Sequence, residues 1–130
     1  MLKLVTNTEN ANEDKMLRKV VDKDDPMQGT AKRADVNGYS VIGKTGTAVK
    51  VSKTSKGYSK DVMTVFVSAY PEEKPEYLLL VMIDEPKAIP SKGFYKSDSG
   101  WNAVPTAGTI IKRVGPILAS KNYNIALNVK

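Results

Sequence analysis

Apolar side chains at helical spacing open the chain and predict its first element. Within residues 13–23 the apolar positions recur on one face, which predicts an N-terminal helix. Pro26 ends this helix because proline cannot continue the hydrogen-bond ladder, and the polar stretch 8–12 before it predicts a loop. The apolar positions of the helix are Met16, Leu17, Val20 and Val21.

Three apolar, β-branched runs follow the Asn37-Gly38 turn signal and predict strands. They cover about 39–51, 62–70 and 77–83. A polar loop at 52–60 and a turn at 72–75 join them, and connections this short make the sheet antiparallel. The third run is apolar without alternation, which predicts a central strand covered on both faces.

The last third of the chain combines a long loop with a second helix. The loop, 86–105, carries Phe94, Tyr95 and Trp101, which we expect to anchor it rather than to border a groove. Pro105 suits the first turn of a helix whose apolar stripe runs to Leu118. Gly115-Pro116 should kink or shorten this helix, and residues 119–130 are weakly patterned.

The order of these elements predicts an α+β fold, an antiparallel sheet of about three strands with N- and C-terminal helices packed on it. So few elements form a small core, and we expect it to need a further layer from a partner. At 130 residues the chain is one domain or a piece of one.

Composition and charge narrow the chemistry. The chain has no cysteine and no histidine, which excludes disulfides, Cys/His zinc sites and Ser-His catalytic pairs, and we expect neither metal nor cofactor. The net charge of +6 comes from lysines spread along the chain, so we expect no nucleic-acid site. No run is long enough for a membrane helix and the start is too polar for a signal peptide, so we expect a soluble chain.

Two motifs compete for one stretch of the sequence. Residues 38–45 fit the phosphate-loop pattern G-x-x-x-x-G-K-[ST], and the apolar run before Asp84 resembles the strand that would hold its magnesium. A phosphate loop must open a helix, but strand-forming residues surround Thr45. A nucleotide-binding protein therefore remains the weaker alternative, as does a basic binding module without catalysis.

The other motif is Lys44-Thr45-Gly46-Thr47. A cation and two hydroxyls on a glycine-bearing strand make a receptor for a carboxylate. K-T-G is also one of the motifs of β-lactamases and penicillin-binding proteins.

Around this motif the chain resembles class B penicillin-binding proteins over roughly residues 13–118. The segments that carry the resemblance are 29–32 (GTAK), 36–39 (VNGY), 43–48 (GKTGTA), 65–71 (VFVSAYP) and 77–86, with the helix after Pro105. The chain is similar to the C-terminal end of a transpeptidase domain of the division or elongation type. Residues 1–130 are therefore expected to form an incomplete domain of the β-lactamase/transpeptidase-like fold.

The resemblance implies an activity and the residues that serve it. In this family a serine attacks the D-Ala-D-Ala end of a peptidoglycan stem peptide, and β-lactams acylate the same serine. It implies that Lys44 and Thr47 are catalytic, that Thr45, Gly46 and Thr47 bind substrate, and that the Thr47 amide is an oxyanion donor. It also implies a parent protein anchored in the cytoplasmic membrane, with this domain on the periplasmic side, working with division or elongation proteins.

One departure from the family pattern limits what this chain can do. No serine has lysine three residues later, so the nucleophile motif S-x-x-K is absent. Ser120-Lys121-Asn122 fits the motif S-x-N, but it follows the K-T-G strand where the family places it before, and we regard it as coincidence. We expect the nucleophile upstream of Met1, no acylation by this chain alone, and self-association through apolar surface that the missing half would cover.

Overall fold

The computed structural model describes residues 10–52, 56–93 and 95–128, without the side chains of residues 10, 11 and 122–128. In chain order the elements are α1 (Asn10–Val21), β1 (Ile42–Val51), β2 (Tyr58–Tyr70), β3 (Tyr77–Asp84) and α2 (Ala103–Asn128), with 3-10 turns at Lys32–Ala34, Pro90–Lys92 and Ser99–Trp101. The strands form one antiparallel sheet in the order β1-β2-β3. The α+β architecture predicted from the sequence is confirmed.

Among the described residues, no helix combines the length and apolar character that a membrane crossing requires.

Helix α1 begins earlier than the apolar pattern predicts. Asn10 is already helical, whereas residues 8–12 were expected to be a loop, and positions 8 and 9 lie outside the described residues. The first turn is polar and so leaves no signal in a hydrophobic pattern. Farther along, the Arg18 guanidinium donates hydrogen bonds to the Val41 carbonyl and to the Asp35 carboxylate, both at 2.8 Å, which ties α1 to the start of β1.

Strand bounds also differ from the expected ones. Strand β1 starts at Ile42 and not near Tyr39, because Tyr39 closes a turn by donating to the Val36 carbonyl and Ser40 has a left-handed φ of 40°. Strand β2 starts at Tyr58 and not at Val62, so fewer residues separate it from the end of β1 at Val51 than the sequence predicts. The polar composition of residues 58–60 predicted a loop, but these residues belong to β2.

Alternate residues of the sheet point to two faces. On the covered face, side chains such as Phe66 and Val81 pack against α2 around Ile111 and are buried. On the other face, which we call the bare face, Ile42 of β1 is buried near α1, and the larger side chains of β2 and β3 are Met63, Val65, Val67, Leu78, Leu80 and Met82. Four of these stay solvent-exposed, at 37% for Val67, 74% for Leu78, and 55% each for Leu80 and Met82.

This arrangement corrects the expected position of β3. We expected a central strand covered on both faces, but β3 lies at the edge of the sheet and its residues alternate between buried or half-buried and exposed. The unbroken apolar run reflects a strand with two apolar faces. Within the described residues only one of those faces has a helix, α2, packed along it.

Helix α2 is not shortened at Gly115-Pro116, where a kink or an early end was expected. It starts at Ala103, where the Asn102 side chain accepts from the Ala103 amide at 2.7 Å, and it continues through Pro116 to Asn128. The weakly patterned tail is therefore helical as far as it is described. Gly115 does not end the helix. It allows the Tyr39 ring to pack against α2, because a Cβ at Gly115 would lie 2.3 Å from that ring.

Candidate functional site

The K-T-G residues lie on β1, an edge strand of the sheet. Their side chains alternate, as a strand requires. Thr45 and Thr47 pair with covered-face positions of β2, and Lys44 and Gly46 pair with Val67 and Val65 of the bare face. The motif is thus divided between the two faces.

Thr45 and Thr47 line a cleft of about 350 Å³. Its second wall comes from residues 28–33, which precede β1, and its floor from residues 98–101, which precede α2. A cleft of this size takes a small polar ligand or the end of a peptide. Lys32 and Arg33 line it together with the two threonines, against one acid, Asp98, and this balance favours an anionic group.

Each of the two threonine hydroxyls has a partner in this cleft. Thr45 Oγ1 lies 3.1 Å from Thr30 Oγ1, and either hydroxyl can donate to the other. Thr47 Oγ1 accepts a hydrogen bond from the Ser99 backbone N–H, with 3.4 Å between the heavy atoms. Each K-T-G hydroxyl therefore has one hydrogen-bond partner in the cleft, while the Thr45 side chain is half-buried and the Thr47 side chain is exposed.

A buried polar network holds the floor of the cleft in place. Ser99 is buried, and its hydroxyl donates to the Val65 carbonyl of β2 at 2.8 Å. Thr64, also buried, donates to the Asn102 side chain at 2.6 Å, and Asn102 in turn donates to the Asp98 carbonyl at 2.7 Å. Because the polar atoms of these side chains all have hydrogen-bond partners, the 3-10 turn Ser99–Trp101 is held against the sheet.

The second wall and the floor also contact each other directly. The Arg33 guanidinium stacks 3.8 Å from the centre of the Trp101 ring and donates to the Gly100 carbonyl at 3.2 Å. A Cβ on Gly100 would lie 2.8 Å from the Thr30 carbonyl oxygen, so only glycine allows the two segments to approach this closely. Trp101 both anchors the loop, as expected, and borders the cleft. Phe94 lies outside the described residues.

Lys44 does not line this cleft. Its ammonium donates to the Thr45 carbonyl at 3.0 Å, and its side chain borders a separate apolar cavity of about 190 Å³ together with Leu17, Val67 and Leu78. The structure therefore brings Thr45 and Thr47 together and places Lys44 across the strand from them.

Two glycines of β1 differ in what requires them. A Cβ on Gly43 would lie 2.5 Å from the Val67 carbonyl and 2.8 Å from the Phe66 ring, so close packing explains that glycine. At Gly46 the nearest atom to such a Cβ is the Val65 Cβ at 3.9 Å. Packing among the described residues does not require glycine at position 46, and space above it on the bare face is open.

The nucleotide-binding alternative is not supported. After Thr45 the chain continues as strand β1 to Val51 instead of opening a helix. Asp84 and Glu85 pair with Lys50, and the hydrogen bonds that the Lys50 ammonium donates to Asp84 and then to Glu85 raise the pKa of that lysine. Throughout the part of the chain that the structure describes, no cluster of acidic residues could hold a metal ion.

The sequence analysis missed two residues that contact the K-T-G hydroxyls in the cleft, Thr30 and Ser99. Thr30 was noted only as part of the resemblance, and Ser99 lay in a loop without pattern. Only the fold shows that both meet the K-T-G hydroxyls. Ser120 lies in the second half of α2, where its hydroxyl donates to the Ile117 carbonyl, and it does not line the cleft.

The chain is similar to penicillin-binding transpeptidases. A family model described as the penicillin binding protein transpeptidase domain matches residues 3–112. The probable peptidoglycan D,D-transpeptidase FtsI of Caulobacter vibrioides is 37% identical over 98 residues, which is 72% of this chain and 16% of that protein. PbpB of Mycolicibacterium smegmatis is 40% identical over 76 residues, covering 55% of this chain and 12% of PbpB.

Solved structures of penicillin-binding proteins are also similar to this chain. Penicillin binding protein 3 of Mycobacterium tuberculosis, complexed with ampicillin, superposes with a TM-score of 0.63 at 30% identity, covering 81% of this chain and 24% of that one. The transpeptidase domain of Burkholderia pseudomallei penicillin-binding protein 3 superposes with a TM-score of 0.56 at 30% identity, covering 94% of this chain and 31% of that domain. The chain thus spans a small part, 16% for FtsI, of the curated relatives' length.

Proposed function

Because this chain belongs to the penicillin binding protein transpeptidase family, we propose that it provides the carboxylate-binding strand of a peptidoglycan D,D-transpeptidase. The observation that carries the proposal is the cleft in which Thr45 and Thr47 present two hydroxyls beside an open strand edge. A terminal carboxylate of a stem peptide, or of a β-lactam, accepts hydrogen bonds from both hydroxyls. The ampicillin complex of the mycobacterial relative supports the β-lactam as a ligand class.

The edge position of β1 gives the substrate its orientation. An extended peptide can add to this edge as a further strand, with main-chain hydrogen bonds that do not depend on its side chains. In that arrangement the Thr47 N–H donates to the oxyanion that forms at the reacting carbonyl. Gly46 contributes by leaving the bare side of the strand open to close approach, since a Cβ there meets nothing nearer than 3.9 Å.

Lys44 acts on the other side of the strand. Among the described residues its ammonium has only a carbonyl partner, so it keeps donors and its charge for a group that approaches from outside this chain. In the proposed enzyme that group belongs to the nucleophile's proton-transfer system, and Lys44 supports it electrostatically.

The serine nucleophile and the middle motif belong to the rest of the domain, so residues 1–130 are its C-terminal part. S-x-x-K is absent from the chain, and the exposed Leu78, Leu80 and Met82 side chains leave an apolar surface for a covering layer. The parent protein is anchored in the cytoplasmic membrane, with this domain on its outer side. There it works in cell division, the role that similarity to FtsI favours. Without the covering layer, copies of the chain associate through the bare face.

A chimera tests this function. The matched 98-residue region of Caulobacter FtsI is replaced by the corresponding part of this chain, and labelling by a fluorescent penicillin is followed on denaturing gels. We expect the chimera to be labelled and the 130-residue chain alone to remain unlabelled. Labelling of the chain alone would overturn the assignment of the nucleophile to the rest of the domain.

Two variants of the chimera isolate the hydroxyl. Thr47→Val keeps the shape of the side chain and removes its hydroxyl, and we expect the labelling rate to fall about 10- to 100-fold, as for loss of a hydrogen bond to a charged group. Thr47→Ser is the matched control and should retain most of the rate. Equal rates for the valine and serine variants would contradict the proposed role of Thr47.

A further inference from the structure

We infer that Thr30 and the Ser99 backbone amide are positioning groups for the K-T-G hydroxyls. Ser99 donates to Thr47 and, once an anion is bound, Thr30 donates to Thr45, so each K-T-G hydroxyl gives its own proton to the ligand. The inference rests on the proposed carboxylate-binding function and assigns to it two groups outside the K-T-G motif. It also predicts the ligand chemistry that the cleft prefers, a terminal carboxylate over the corresponding amide.

For Thr47 the direction is fixed by the partner. The Ser99 N–H can only donate, so the hydrogen bond at 3.4 Å makes Thr47 Oγ1 the acceptor. The Thr47 hydroxyl proton therefore points away from Ser99, and it meets no acceptor among the described residues. It remains available to a ligand in the cleft, of which Thr47 is a lining residue.

For Thr45 the direction is fixed by the ligand. The two hydroxyls of Thr30 and Thr45 share one hydrogen bond, so one of their two protons is free. When an anion lies against Thr45, Thr45 donates to the anion and Thr30 donates to Thr45. A hydroxyl that accepts one hydrogen bond is a stronger donor in the next, so both K-T-G hydroxyls are strengthened toward an anion.

The surrounding structure keeps both positioning groups in place. Ser99 is fixed on β2 through its own hydroxyl bond to the Val65 carbonyl. The Thr30 backbone carbonyl faces Gly100 at a distance that excludes any side chain there, and Arg33 joins the same two segments by stacking on Trp101. The backbone of neither segment has to move when a ligand binds, and this preorganisation favours binding.

This arrangement distinguishes a carboxylate from an amide. A carboxylate only accepts hydrogen bonds and can take a proton from each threonine. A terminal amide has one oxygen to accept and two N–H groups to donate, and one acceptor site of Thr47 is already occupied by Ser99. The amide therefore satisfies fewer of the cleft's groups.

The test is an NMR titration of the ¹⁵N-labelled 130-residue chain with N-acetyl-D-alanyl-D-alanine and, as the matched probe, its C-terminal amide. In the wild-type chain we expect the backbone signals of residues 45–47 to shift with the acid and much less with the amide. Thr30→Val should weaken binding of the acid about 3- to 10-fold, the range for one lost hydrogen bond, and leave the amide unchanged. Thr30→Ser should restore acid binding.

The outcomes separate the inference from the function on which it rests. If Thr47→Val weakens acid binding and Thr30→Val does not, the positioning role of Thr30 is wrong and the proposed function stands. If Thr30→Val weakens acid and amide equally, or Thr30→Ser fails to rescue, Thr30 only supports the shape of the cleft and the inference is overturned. If the wild-type chain binds neither probe, the carboxylate receptor itself is wrong.

A measurement without ligand tests the Ser99 contact. Amide hydrogen exchange at Ser99 should be about 3- to 10-fold faster in Thr47→Val than in Thr47→Ser, because only the valine variant removes the acceptor. Equal exchange in the two variants would overturn this part of the inference even if the acid binds.

Discussion

The two faces of the sheet share three strands but differ in how far the chain completes them. On the covered face, α2 buries Phe66, and the buried hydroxyls of Thr64 and Ser68 both find acceptors. On the bare face, Leu78 and Leu80 remain exposed although their composition suits a core. The side chains of the covered face are packed as in a protein interior. The bare face has a similarly apolar composition, but several of its large side chains are exposed to solvent.

The side chains of the K-T-G strand alternate between the two faces. Its threonines belong to the covered side, where residues 28–33 and 98–101 of the same chain complete a cleft around them. Its lysine belongs to the bare side, where the cavity beside it is apolar and open. Under the proposed function, the covered side of this strand recognises the ligand, and the bare side is where a further layer of the domain would meet Lys44.

The largest expected effect contrasts the centres of the two faces. Phe66→Ala removes a fully buried ring and should lower the free energy of unfolding by about 3–5 kcal/mol, from lost burial and the cavity left behind. Leu80→Ala, on a half-exposed side chain one strand away, should cost under about 1 kcal/mol. Urea denaturation of both variants measures the difference, and similar losses would mean that the bare face is already covered in solution.

A second contrast uses the two glycines of β1. Gly43→Ala forces a methyl group against the Val67 carbonyl and the Phe66 ring and should cost about 1–3 kcal/mol of stability. Gly46→Ala adds the same methyl group on the bare side and should stay within about 0.5 kcal/mol of wild type. Thermal unfolding of the pair provides the measurement. A large loss at Gly46 would show that the space above it is occupied.

The smallest effect on stability should accompany the clearest effect on association. Replacing Leu78, Leu80 and Met82 together by threonine keeps β propensity and removes apolar surface, so stability should change by no more than about 0.5 kcal/mol per site. Sedimentation should then change from concentration-dependent association to a monomer. Val81→Thr on the same strand is the control, since it places a hydroxyl in the core and should destabilise without abolishing association. A wild-type chain that is monomeric at all concentrations would contradict the association.

The sequence predicted what depends on local pattern and missed what depends on tertiary contacts. The three strands and both helices follow from the spacing of apolar residues, and the K-T-G strand follows from its motif. The apolar run of β3 showed that both its sides suit burial but not which neighbour covers each. Pro116 indicated a kinked or shortened helix, yet one lost hydrogen bond does not end a helix whose Ile111 is packed in the core.

The cleft illustrates the same limit. Thr45 and Thr47 were identified because their motif is contiguous, whereas their partners Thr30 and Ser99 carry no pattern that marks them. Ser99 reaches Thr47 only because its own hydroxyl is held by β2. Such partners cannot be read from spacing, since they meet the motif through the path of the chain in space.

The way the cleft is assembled has a consequence for how the protein folds. The contact between Ser99 and Thr47 spans 52 residues, and the contact between Arg33 and Gly100 spans 67. Contacts this far apart form late, because the loops between them must close first. The hairpin that carries the motif can form from neighbouring residues early in synthesis, but its recognition surface requires the chain as far as Trp101. If the proposed function is right, we expect a nascent chain that stops short of this residue to display the motif without binding a ligand.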